Sequence, residues 1–123
     1  MRPHALVILL SLLSCAPTHY TTSTTQTSAN ALDCALNFGI NNGYTPTAGG
    51  TNGGFIRLER RVNPTLELGG RATDVLTVTV SQAQLHIEAT GFNSKGEELG
   101  ASGRVKREAS ELLQRCGGEG SKG

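Results

Sequence analysis

Tryptophan is absent from this chain, methionine occurs once, and aromatic residues make up only 4%. Any core must therefore be built from leucine, valine, isoleucine and alanine. Neither charge dominates: 11 Lys and Arg against 10 Asp and Glu leave a formal net charge of +1. No global field steers such a molecule onto nucleic acid or anionic lipid. No Cys-x-x-Cys pair occurs to lower a thiol pKa for redox work. At 123 residues the chain has room for one domain. Its 16 glycines cluster in loops, so a modest core must hold several flexible connections and needs reinforcement.

No apolar run is long enough to cross a bilayer. In "MRPHALVILLSLLS", Arg2 precedes an apolar stretch from Ala5 to Leu13. That stretch rises only about 14 Å as a helix, roughly half the hydrocarbon core. A charged start, a short apolar middle and a small residue before the cut describe a secretory signal peptide over residues 1–14.

The stretch ends in Leu12, Leu13, Ser14 and Cys15. This "LLSC" resembles the lipobox of bacterial lipoproteins, with Leu13 standing where Ala or Ser is common. The chain as a whole resembles small bacterial envelope lipoproteins. The resemblance implies that Cys15 carries palmitate or a similar acyl group, and that more than one chain anchors the protein to a membrane. Ala16 follows the cysteine, with no Asp there, which resembles the pattern that permits sorting to an outer membrane. Two other readings compete: an ordinary signal peptide cut nearby, which leaves Cys15 incidental, and a buried N-terminal strand.

"APTHYTTSTTQTS" is small, polar and almost uncharged. Residues 15–27 therefore read as a lipidated cysteine and a disordered tether, about 20 Å long as a coil and about 40 Å when stretched. A domain follows over residues 28–117, with a flexible tail at 118–123.

Within the domain, Ser28 or Asn30 would cap a first helix. Its apolar face carries Ala31, Cys34, Ala35 and Phe38, with Leu32 and Leu36 beside them. Gly43 would close that helix in the left-handed conformation. Tyr44 to Thr47 begin a short strand before the glycine-rich turn "AGGTNGG". "GFIRLERR", "DVLTVTV" and "AQLHIEATGF" alternate as half-buried strands, the last two joined by a hairpin at "SQA". Ile56 and Leu58, then Leu76, Val78 and Val80, then Leu85, Ile87 and Ala89 mark the inner side. A final helix carries the stripe Val105, Ala109, Leu112, Leu113 and Cys116, with Ser102 as its cap and Gly117 as its stop.

The order helix, four antiparallel strands, helix predicts an α+β two-layer sandwich with both helices on one sheet face. In an exported chain, Cys34 and Cys116 are expected to form a disulfide; the alternative is two buried free thiols.

No catalytic constellation stands out, and no cofactor is expected. "TAGGTNGGF" lacks the Lys-Ser or Lys-Thr of a phosphate loop and leads into a strand. "RLERR" and "GRVKRE" read as solvated charge, and the balanced net charge argues against nucleic acid. The outer sheet face, carrying Phe55, Arg57, Arg61, Thr77, Thr79 and His86, is the candidate surface for an envelope protein or glycan. The competing class is an enzyme, or a metal or small-ligand binder, built on His86, Glu88 and Glu59.

Overall fold

The computed structural model describes residues 20–24, 30–65 and 70–117. Along these run β1 (Tyr20–Thr24), α1 (Ala31–Asn41), β2 (Thr45–Gly50), β3 (Phe55–Arg61), β4 (Arg71–Ser81), β5 (Gln84–Asn93) and α2 (Gly103–Cys116). The fold is α+β. The signal segment, Cys15 and the tail at 118–123 lie outside the described residues.

The strands form one antiparallel sheet in the order β1-β5-β4-β3-β2. It therefore has five strands where the sequence predicts four. The additional strand, β1, lies inside the segment read as a tether. Threonine suits a pleated surface because it is β-branched, and β5 offers a free edge on which to pair. The low charge and small side chains that suggest disorder are equally compatible with an edge strand.

Helix α1 begins without a side-chain cap at Asn30. It ends in a Schellman motif: Tyr44 N–H donates to Gly39 O at 2.8 Å and Gly43 N–H to Ile40 O at 3.1 Å. Gly43 adopts φ +90, the conformation expected of it. Gly39 is required for packing, since a Cβ there would stand 2.7 Å from Leu58 Cδ1. In α2 the expected cap is present, with Ser102 Oγ accepting from Val105 N–H at 3.2 Å.

One core joins Ala31, Ala35 and Phe38 of α1 and Val105, Ala109 and Leu112 of α2 to Ile56, Leu58, Leu76, Val78, Leu85, Ile87 and Ala89 of the sheet. These sheet residues alternate along their strands, as period-two patterning requires. Cys34 and Cys116 are bonded, with their Cα atoms 5.5 Å apart. The disulfide ties α1 to the end of α2, next to the core.

The β4–β5 hairpin turns on Gln82 and Ala83, at φ 55 and 63. Both are in the left-handed region without being glycine. The β2 edge is blunted by Pro46 and by a register shift between Pro46 and Ala48. The Ala48–Gly50 portion of the expected glycine turn pairs with β3 as strand, leaving residues 51–54 to make the turn.

Candidate functional site

On β3, β4 and β5, the residues that alternate with the core set form cross-strand rows. Phe55 pairs with Thr79, which pairs with His86. Arg57, Thr77 and Glu88 make the next row, Glu59, Val75 and Thr90 the third, and Arg61, Thr73 and Phe92 the fourth. All six surface candidates fall in these rows. Phe55, Thr79 and His86 share one row, Arg57 and Thr77 share its neighbour, and Arg61 stands two rows further on.

Phe55 is 39% exposed, which is unusual for a ring of its size. Arg57 Nε donates to Glu59 Oε2 at 2.8 Å, and Thr47 Oγ1 donates to the same oxygen at 3.1 Å. The Arg57 bond holds the Glu59 carboxyl below its usual range, opposed by partial burial and reinforced by Thr47. Glu59 is thus committed to β3 and β2, and β4 separates it from His86 and Glu88. Among the described residues, no group of three His, Cys, Asp or Glu side chains is arranged to hold a metal ion.

A groove of about 580 Å³ opens at the Arg61 end of these rows. Arg57, Glu59 and Arg61 supply its charge, while Val62, Val75 and Phe92 supply apolar wall. Planar guanidinium groups beside an apolar wall can hold a carboxylate, a phosphate or a sugar hydroxyl against a flat partner surface. Phe55, Thr77, Thr79 and His86 lie outside the groove lining, on the rest of the sheet.

The inner side carries a second cluster that the sequence analysis missed. Arg60, read there as part of a solvated basic run, is 6% exposed. Its Nε and Nη2 donate to Asp74 Oδ2 at 3.2 and 2.7 Å. Its Nη1 donates to Glu108 Oε2 at 2.9 Å and to the Asn42 carbonyl at 3.0 Å. Tyr44 Oη donates to Glu108 Oε1 at 2.7 Å, and the Arg60 guanidinium lies 4.3 Å from the Tyr44 ring centroid. One cation therefore joins β3, β4, α2 and the C-terminal end of α1, where a positive charge also suits the helix dipole.

Burial alone would raise the Glu108 pKa, but the hydrogen bonds from Arg60 and Tyr44 outweigh it and leave the carboxyl below its usual range. Burial, assisted by the bond to Glu108, pushes the Tyr44 phenol well above its usual value. Burial would lower Arg60, yet Glu108 and Asp74 raise it further. Buried and bonded to one another, these side chains tie the sheet to both helices. The signal was present in the parity: Arg60 continues Ile56 and Leu58, Asp74 precedes Leu76 and Val78, and Glu108 sits between Val105 and Leu112 on the stripe.

No protein-family model matches this chain, and no curated protein matches it.

Proposed function

We propose that this chain is a lipid-anchored, non-catalytic module of the cell envelope, held through Cys15 on a membrane facing the periplasm or exterior. In a cell with two membranes, this would be the outer one. Both helices lie on one face of the sheet, and the opposite face binds an envelope protein or glycan. The observation that carries the binding reading is the exposed Phe55 beside the partly exposed Arg57, continuing into the Arg61 groove. Aromatic and arginine side chains are the usual anchors of a binding surface. The Cys34–Cys116 disulfide supports an oxidising address, because structural disulfides are uncommon in reducing compartments.

The test is cross-linking in intact cells, followed by recovery of the full-length protein from detergent-solubilised envelopes. A partner retained by the wild type and lost with Arg57→Glu supports the proposal, provided the melting temperature of the variant stays close to the original. Arg57 is a partly exposed ion-pair member, so its replacement costs less than about 1 kcal/mol. Equal recovery by both proteins would exclude Arg57 from the binding surface. Stoichiometric metal in the purified wild type would favour the competing ligand-binding class.

A further inference from the structure

Tyr20, the first residue of β1, lies only five positions after Cys15. Whatever conformation the intervening residues take, they span at most about 18 Å. Lipidation of Cys15 would therefore hold the domain close to the bilayer and present the Tyr20 end first.

Three features meet at that end. Tyr20 is fixed to α2, with its hydroxyl 3.1 Å from Ser110 Oγ and Lys106 Nζ 5.9 Å from its ring centroid. Leu99 takes up the β5 edge where β1 begins: its N–H donates to Gly91 O at 2.8 Å, two residues beyond Ala89, the partner of Tyr20. Leu99 is 37% exposed. The first two turns of α2 carry Arg104, Lys106 and Arg107, all exposed, and the first turn has no acidic residue.

The neighbouring carboxylates are engaged elsewhere. Glu108 turns inward to Arg60 and Tyr44, with Arg104 Nε 3.4 Å away at its rim. Glu111 pairs with Arg115, Glu97 accepts from Asn93, and Glu98 accepts from Thr90. Lys106 and Arg107 meet no carboxylate among the described residues. Cations beside the positive end of a helix weaken it, and the Lys106–Tyr20 and Arg104–Glu108 contacts leave all three side chains exposed.

Resting on the lipidation reading above, we propose that this end of the domain docks on an anionic bilayer. Arg104, Lys106 and Arg107 meet the phosphate headgroups, and Leu99 meets the interface beside them. Each cation near such a surface adds to the attraction, over a distance limited by the Debye length. The partner-binding sheet face is then held in a fixed orientation to the membrane.

The test uses the full acylated protein reconstituted in vesicles of phosphatidylglycerol with phosphatidylethanolamine, or of phosphatidylcholine alone. Lys106 is labelled with a membrane-impermeant amine reagent and quantified by mass spectrometry, and the same digest reports acylation of Cys15. Docking predicts labelling slowed by about fivefold in the anionic vesicles, restored in roughly 1 M salt. Arg104→Gln combined with Arg107→Gln should remove most of the difference while keeping Lys106 as the probe. Equal labelling in both vesicle types with Cys15 acylated would overturn docking and leave the anchor reading intact. Protection that persists in neutral vesicles and high salt would mean that the short anchor alone covers Lys106, which also overturns docking. An unmodified Cys15 removes both.

Discussion

Arg60 Nη1 and Glu108 Oε2 meet at 2.9 Å, joining the middle of the sheet to α2 inside the core. Asp74 completes the pair into a triad on the other side of the guanidinium, at 2.7 Å. Removing the cation leaves Asp74 and Glu108 buried without the guanidinium that joins them, and leaves Glu108 only Tyr44 and the exposed Arg104. Arg60→Ala should therefore cost about 3–5 kcal/mol in denaturant unfolding, far more than an exposed arginine. Tyr44→Phe, which removes one hydrogen bond to the same carboxylate, should cost about 1.5–3 kcal/mol.

The same cluster sets the response to acid. The folded-state pKa of Glu108 lies below its ordinary value of 4.5. The stability it contributes is therefore complete above that value and is lost as pH falls through the lower, folded-state value. Unfolding free energy should fall on acidification below about pH 4.5, and Glu108→Gln should flatten that decline while lowering stability at neutral pH. An unchanged acid slope in the variant would assign the decline to other carboxylates.

Much of this architecture was legible because periodicity reports burial. The inner sets on β3, β4 and β5, both helix stripes and the Ser102 cap follow from spacing, and the Cys34–Cys116 pair from two cysteines left in a chain read as exported; Val75 and Thr90, on the side expected to be wetter, are buried. Strand β1 was not legible, because a polar Thr-rich segment forms a strand only when a partner edge is available. Reading it as a tether carried the expected linker through Tyr20–Thr24, which pair with β5 as strand. Arg60, Asp74 and Glu108 were hidden by their charge: each occupies an apolar position in the pattern, and only their mutual geometry makes burial tolerable. The groove near Arg61 brings Val62 and Pro64 after β3 together with Ser94 and Gly96 after β5, a juxtaposition that local pattern does not specify.

The hairpin at Gln82 and Ala83 offers a gain in stability. A left-handed residue with a Cβ costs about 1–2 kcal/mol relative to a relaxed conformation, and a two-residue turn of this hand favours Asn-Gly. Gln82→Asn with Ala83→Gly should raise stability by about 0.5–1 kcal/mol after the added freedom of glycine in the unfolded chain is counted. Thermal unfolding checks this, and a lower melting temperature would show that the native turn is not strained.

The disulfide closes a span of 82 residues between Cys34 and Cys116. Non-reducing mass spectrometry of exported protein should recover the linked peptide. Reduction should lower stability by about 2–4 kcal/mol, less than the full chain-entropy value if the reduced chain keeps residual structure. Two free thiols in protein taken from an oxidising compartment would contradict the pairing.

The anchor proposed at Cys15 would determine both the address and the orientation of this domain. Its most direct test is fractionation of cells expressing the wild type or Cys15→Ala, with membranes washed in high salt to release proteins held by charge alone. The account predicts wild-type protein in the washed membrane pellet and Cys15→Ala in the soluble or secreted fraction. Cys15→Ala remaining in the washed pellet alongside the wild type would contradict lipid anchoring.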